Sequence, residues 1–302
     1  MGRASCRVLA ITVAVLAAAL AASSSAAASY PVNWNVLTAF ATGIVQPDTP
    51  PPGSNLPACS LAAHPYPVVL VHGTIENQND NWQAVAPTLG NDGYCVYSFT
   101  YGRTWYSGGI GAIGDIHASA KQLGSFVQHV LSKTGAKQVD IVGHSQGGML
   151  PRLYMKEDGG VPYIHRLVGI SSSNNRANVS GLSTILNLVP GAELVLGLGC
   201  PACTQQTTQP LYDYLNSGEV TYPSVLYTVI QSTHDEVVGP PYTQAFLPSA
   251  SNVINETVQQ VCPNDPVGHI GLPYDQDAVQ MVINALDPAH AQAVSCSAGF
   301  GL

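Results

Sequence analysis

Gly143-His144-Ser145-Gln146-Gly147, running on into Gly148, places a serine between glycines two residues away on either side. The apolar run Val139-Asp140-Ile141-Val142 precedes it and the helix-like stretch Met149 to Met155 follows, so the serine sits where a strand turns into a helix. Such a turn tolerates only glycine-sized neighbours and pushes the hydroxyl out at the carboxyl end of the strand. Chance composition supplies roughly 0.2 copies of the pentapeptide, so the strand-to-helix setting decides, and Ser145 reads as a nucleophile.

A serine hydroxyl attacks poorly unless a histidine takes its proton, and that histidine needs a carboxylate to fix its tautomer and stabilise the imidazolium. Asp235 suits the acid. It follows the strand-like Val225 to Ile230, within Ser232-Thr233-His234-Asp235-Glu236-Val237-Val238, and lies 90 residues beyond the serine. Glu236 and Asp265 are its rivals. His269, in Val267-Gly268-His269-Ile270-Gly271, has flanking glycines that suit a loop presenting an imidazole. The other histidine downstream of Asp235 is His290, in the tail Asp287-Pro288-Ala289-His290. A tetrahedral intermediate also needs preorganised donors for its oxyanion, each worth ~3 kcal/mol. The backbone N–H of Gln146, at a helix amino terminus, and that of Thr74, in Val71-His72-Gly73-Thr74, are the expected pair.

These stretches taken together, His72-Gly73-Thr74, the Ser145 pentapeptide, Asp235-Glu236-Val237-Val238 and Gly268-His269-Ile270-Gly271, resemble the secreted bacterial lipases of the class 2 family, over about Cys59 to Cys296. The resemblance implies an α/β-hydrolase fold and carboxylic ester hydrolysis through an acyl-enzyme on Ser145. It leaves the ester open: a triglyceride, a polyester or a cell-envelope ester, or transfer of the acyl group to an alcohol by the same triad. A non-catalytic binding protein on this fold has no need of the full set of groups. The loop Ser171-Ser172-Ser173-Asn174-Asn175-Arg176 departs from the pattern of such lipases.

Positioning these groups calls for alternating strands and helices. Pro67 to Val71 reads as a buried strand, Trp82 to Leu89 as a helix and Tyr94 to Tyr101 as a strand. Asp115 to Lys133 carries Ile116, Ala120, Leu123, Val127, Val130 and Leu131 at helical spacing. After the serine strand and its helix come strands at Leu167 to Ile170, Val225 to Ile230 and Val253 to Val261, then a closing helix at Asp277 to Leu286. Continuous apolar strands separated by helices mean an α/β fold, a mostly parallel sheet with helices on both faces.

The expected organisation is a signal peptide at 1–28, an extended N-terminal arm at 29–58 and one catalytic domain at 59–302. The leader has Arg3 and Arg7, an uncharged run and Ala26-Ala27-Ala28. In the arm, Pro47 to Gly53 excludes helix and central strand, and order is expected to begin near Cys59. An insertion at about 174–222 is expected to form a lid over the site. Its segment Leu182 to Leu198 is too apolar for a solvated loop, Pro190-Gly191 breaks it into two short helices, and Leu182, Leu186 and Leu194 are expected against an acyl chain.

Without its leader the chain keeps 8 basic residues against 18 acidic ones, a balance that argues against nucleic acid or anionic membranes as partners. No stable membrane insertion is expected either, since no stretch approaches ~20 apolar residues. A secreted monomer that meets a lipid or other ester substrate is the reading. No cofactor is expected, and His117, His129 and His165 show no ligand spacing for a metal, which leaves open only calcium on loop carbonyls. Cys59, Cys95, Cys200, Cys203, Cys262 and Cys296 make an even number in an oxidising compartment. Proximity along the chain pairs Cys59 with Cys95, Cys200 with Cys203 and Cys262 with Cys296. Cys200-Pro201-Ala202-Cys203 lacks the context of a redox motif and reads as a local bridge. Tyr97, Tyr101, Trp105 and Tyr106 read as core and pocket-rim aromatics.

Overall fold

A computed structural model of the protein describes residues 29–177, 186, 189 and 191–297; the leader and Leu182 lie outside the described residues. The strands are β1 (Val68–Val71), β2 (Val96–Ser98), β3 (Val139–His144), β4 (Ile164–Ile170), β5 (Leu226–Gln231) and β6 (Val253–Thr257). Among the described residues the helices are α1 (Val36–Val45), α2 (Gln78–Asn81), α3 (Val85–Asn91), α4 (Ile116–Thr134), α5 (Gln146–Glu157), α6 (Ala192–Leu198), α7 (Pro201–Thr207), α8 (Gln209–Leu215), α9 (Val258–Val261) and α10 (Gln276–Leu286).

The strands form one parallel sheet in the order β2-β1-β3-β4-β5-β6. Every residue of β1 and β3 is buried, which is why both read as unbroken runs rather than as polar–apolar alternation. Alternate β1 side chains feed two cores. Val69 and Val71 pack with Ile116, Leu123 and Val127 of α4 and Leu150 and Leu153 of α5. Val68 and Leu70 pack with Val85 and Leu89 of α3 and Val279 and Val282 of α10. Helix α4 shows how locally such an element is specified. Asp115 caps it by accepting from the Ala118 N–H, Gly135 ends it at φ 73°, and all six apolar residues of its stripe are buried.

Chain order reverses between β1 and β3: from β1 the chain steps outward to β2, then crosses back to β3 on the other side. At such a switch point the loops leaving adjacent strand ends diverge and open a crevice at the carboxyl edge of the sheet. The loop after β1 begins at His72, and the one after β3 is Ser145 itself.

Several expected boundaries move, β4 among them, which begins at Ile164 rather than Leu167. Residues 29–58 are not a uniformly extended arm: α1 lies within them, with Val36, Ala39, Phe40 and Gly43 buried at helical spacing and Asn35 accepting from the Thr38 N–H. Pro47 to Gly53 does stay irregular. The arm is held because the side-chain amides of Asn77, Gln78 and Asn79 donate to the carbonyls of Gly43, Asp48 and Gln46. The helix expected at Trp82 to Leu89 starts only at Val85 and runs on to Asn91 as α3, while the short α2 ends just before Trp82. Strand β2 stops at Ser98, whose backbone N–H and carbonyl are both taken by the Asn55 side chain. The last strand ends at Thr257, where a capping box with Gln260 starts α9.

Disulfides join Cys59 to Cys95, Cys200 to Cys203 and Cys262 to Cys296. The third links residues 34 apart in sequence and is worth ~3–4 kcal/mol on a chain-entropy argument. Among the described residues no helix is long and apolar enough to cross a membrane.

Candidate active site

Ser145 stands between β3 and α5 at φ 54° and ψ −119°, a backbone conformation that costs a non-glycine residue ~1–3 kcal/mol. The glycines around it make the turn feasible. A methyl group on Gly147 would overlap the Val71 carbonyl, and one on Gly143 would overlap the Gly147 carbonyl. Hydrogen bonds fix the turn on both sides, from the Ser145 N–H to the Ile170 carbonyl at 2.9 Å and from the Ser173 N–H to the Ser145 carbonyl at 3.2 Å.

His269 and Asp235 come together as a buried pair, with His269 Nδ1 2.9 Å from Asp235 Oδ2. Asp235 Oδ1 accepts from the Val237 and Val238 N–H groups at 2.8 and 2.7 Å, and Oδ2 also accepts from the Ser171 hydroxyl at 2.6 Å. Burial pushes the Asp235 carboxyl upward, but the charge and N–H of His269, the Ser171 hydroxyl and the Val238 N–H outweigh it and hold Asp235 at about 2. For His269 burial acts downward, and Asp235, Glu236 and Glu76 together raise it above its ordinary 6.5. With Nδ1–H donated to the carboxylate, Nε2 carries the lone pair. That atom is buried and, among the described residues, forms no hydrogen bond.

The loop after β1 closes onto the serine. A Cβ on Gly73 would lie 3.2 Å from Ser145 Cβ, and the Thr74 hydroxyl accepts from Gln146 Nε2 at 3.0 Å and Gln206 Nε2 at 2.8 Å. Among the described residues neither the Thr74 nor the Gln146 backbone N–H donates a hydrogen bond. Gln206 belongs to α7, so the insertion reaches down to the loop beside the serine. Ser145 is 2% exposed and His269 0%, a covered arrangement.

Two expectations fare differently. Of the three leucines expected to line an acyl site, Leu194 is 76% exposed, because it lies on the outer side of α6, and Leu186 is half-buried against the core. Leu182 lies outside the described residues. A cavity of 250 Å³ beside the oxyanion loop is lined by Ile44, Ile75, Ile110, Val189 and Val195, with Asn77, Asp80 and Ser107 as its polar part. Ser171 carries a role that sequence reasoning missed. Its hydroxyl reaches Asp235 and Gln231 because the residue turns to φ 47° at the end of β4. Glu236, the rival acid, accepts among the described residues only from the His269 N–H at 3.4 Å.

The other rival, Asp265, lies apart with Asp275 and Asp277, all buried and with carboxylate oxygens within 4.8 Å of one another. Burial, then the two neighbouring carboxylates, push Asp275 up to about 6. The folded chain therefore keeps a proton between pH ~4 and ~6 that the unfolded chain releases, so this group costs stability as pH rises through that window. Asp275→Asn keeps the oxygen that accepts from the Ala278 N–H and removes the charge. It is expected to raise Tm at pH 8 by a few degrees, ~1–2 kcal/mol, and to leave it unchanged near pH 4. A lower Tm for the variant at pH 8 would show that the ionised carboxylate is held by a partner.

A family model described as Lipase (class 2) matches residues 65–262. Triacylglycerol lipases of Pseudarthrobacter phenanthrenivorans and Burkholderia plantarii are each 35% identical to the chain over 100 residues, which is 32% of this chain and 30% and 26% of theirs. The alignment thus spans under a third of those relatives. Among solved structures, Aspergillus fumigatus lipase B superposes with a TM-score of 0.61 at 18% identity, over 80% of this chain and 57% of that one. Mature Bacillus licheniformis lipase BlEst2 gives 0.54 at 14%, over 78% and 96%. At such identities these likenesses show the fold.

Proposed function

The chain belongs to the class 2 lipases, and on that premise we propose that it is a secreted serine hydrolase that cleaves carboxylic esters of apolar acyl chains through an acyl-enzyme on Ser145. What supports this most directly is the buried Asp235–His269 pair, whose imidazole lies 4.9 Å, centroid to centroid, from the ring of His144, the residue that leads into the strained serine turn. In the reaction His269 Nε2 takes the Ser145 proton as Oγ bonds to the ester carbonyl carbon. The Thr74 and Gln146 N–H groups receive the oxyanion. Collapse breaks the bond to the alkoxy oxygen, which leaves as the alcohol with the proton from His269. Water, deprotonated by the same nitrogen, then releases the acid and frees Ser145. Ile75 follows Thr74 directly, so the acyl chain enters the cavity that Ile75 shares with Ile110, Val189 and Val195. Each buried methylene there contributes ~0.8 kcal/mol. Three disulfides and a leader-like start support the extracellular assignment.

A panel of p-nitrophenyl esters from acetate to palmitate tests the reading, with an organophosphonate to mark the nucleophile. Hydrolysis favouring chains longer than acetate, with the label on Ser145, is the expected result. Label on another serine, or no hydrolysis of any ester, would sink it. Acyl transfer to an added alcohol that outruns hydrolysis would make the protein an acyltransferase.

The acid limb of kcat/KM is set by His269. The base must be neutral, so the rate rises as pH climbs through its folded-state pKa, which lies above 6.5. The limb is expected above pH 6.5, with a plateau in mildly alkaline solution. A midpoint at or below pH 6 would contradict the assignment.

A further inference from the structure

Several buried polar groups beside the site have no part in that scheme. His144 and Glu76 are each 1% exposed, and Asn81 is fully buried. His144 Nε2 lies 3.1 Å from the backbone carbonyl of His269. A carbonyl only accepts, so this nitrogen carries the proton. At the other side of the ring, Nδ1 accepts from Asn81 Nδ2 at 3.0 Å and lies 3.1 Å from Glu76 Oε2, so the Asn81 amide bridges imidazole and carboxylate. Glu76 Oε2 accepts in turn from the Gly73 N–H at 2.9 Å, and Glu76 Oε1 accepts from Asn81 Nδ2 at 3.0 Å. One imidazole and one carboxylate thus touch three loops: the oxyanion loop through Gly73, the serine turn through His144 itself, and the base's loop through the carbonyl of His269. Little slack exists, since a Cβ on Gly73 would overlap Glu76 Oε2 and sit 3.2 Å from His144 Nδ1.

We propose that Glu76 and His144 form a positioning pair that holds the His269 loop and the Gly73-Thr74 loop in register across the serine turn. His144 acts through the His269 carbonyl and Glu76 through the Gly73 N–H; neither touches the ester. The inference rests on His269 being the base and Thr74 an oxyanion donor. A buried carboxylate beside an imidazole is a weak device for stability, because the desolvation of the carboxylate offsets most of what its hydrogen bonds contribute. Geometry is what it supplies, and a displacement of ~1 Å at a reacting group lowers turnover ~10²-fold.

Steady-state kinetics and melting curves on Glu76→Gln, His144→Leu, His144→Gln and the double variant Glu76→Gln/His144→Leu test the pair. His144→Leu removes the donor to the His269 carbonyl and is expected to lower kcat about 100-fold with KM within about two-fold. His144→Gln, which can still donate to that carbonyl, is expected to recover at least about ten-fold of the loss. Glu76→Gln is nearly isosteric and removes one of the charges that face His269, the others being Asp235 and Glu236. It is expected to lower kcat and move the acid limb to lower pH. If the two act as one unit, the double variant loses no more than the worse single one.

Equal kcat in His144→Leu and wild type would overturn the pair. So would His144→Gln no better than His144→Leu with Tm and kcat falling together, or losses that add in the double variant. Should His144→Leu fail to fold, Glu76→Gln and His144→Gln decide, and wild-type kcat and an unmoved acid limb in both would equally overturn it. His269→Ala, assayed in parallel, separates the two readings. If it retains activity the hydrolytic scheme fails, whereas an inactive His269→Ala beside an unaffected His144→Leu removes only the positioning role.

Discussion

Ser145→Ala is expected to lower kcat by about 10⁴-fold or more on any soluble ester while leaving the fold in place. The asymmetry comes from how the residue is built in. Its position is set by backbone, through the Ile170 carbonyl and the Ser173 N–H, and by the glycines that let α5 cross β3 closely. Alanine makes the same backbone bonds at the same strained φ of 54°. The hydroxyl forms no hydrogen bond with the described residues, so its removal leaves no buried donor or acceptor unpaired. Melting curves of the two proteins should overlay within about 2 °C, and the organophosphonate should no longer attach. Residual activity within 100-fold of wild type would place the nucleophile elsewhere.

Asp235→Asn should be nearly as damaging, about 10⁴-fold in kcat, for a reason that lies in the hydrogen bonds around the carboxylate. Both the Val237 and Val238 N–H groups point at Oδ1. An asparagine there turns its oxygen toward them and its NH₂ toward His269 Nδ1. The imidazole is then compelled to accept at Nδ1 and carry its proton on Nε2, the tautomer that cannot take a proton from serine. Ser171 can still accept from the new NH₂ while donating to Gln231, so stability should change by less than ~2 kcal/mol. Activity within ten-fold of wild type would mean that another carboxylate orients His269, and Glu236, already on the His269 backbone N–H, is the group to test next.

The pairing of Asp235 with His269 and the sharp turn at Ser145 were legible because each residue sits in a short stretch whose local geometry is dictated by its own glycines or by the strand before it. The parallel sheet was legible for a similar reason, since strands buried on both faces read as continuous apolar runs. What was not legible depends on partners far along the chain. Ser171 reaches Asp235 across 64 residues, and His144 reaches the His269 carbonyl across 125. No spacing rule marks such pairs. The leucines of the insertion illustrate a different limit: an apolar segment announces that something will cover it, but not which face. Leu194 faces outward, and the residues around the cavity come from four separate stretches. Helix α1 was hidden by the prolines just after it, although Val36, Ala39, Phe40 and Gly43 already carried the periodicity.

The seat of α1 on α2 bears on how the protein is made. The arm leaves the ribosome before α2 does, yet the amides of Asn77, Gln78 and Asn79 that receive its carbonyls lie about thirty residues or more later in the chain. Until α2 has emerged the arm has nothing to bind. Conversely, a chain whose arm has been clipped through Asp48 loses these three hydrogen bonds, at ~0.5–1.5 kcal/mol each, and bares α2 within a few residues of Glu76 and the oxyanion loop. An N-terminus is ordinarily where trimming and fused tags do least harm. Here a protease that removes residues up to about Asp48 would strike at turnover without touching any group that meets the ester, and an affinity handle belongs upstream of Tyr30 rather than in place of the arm.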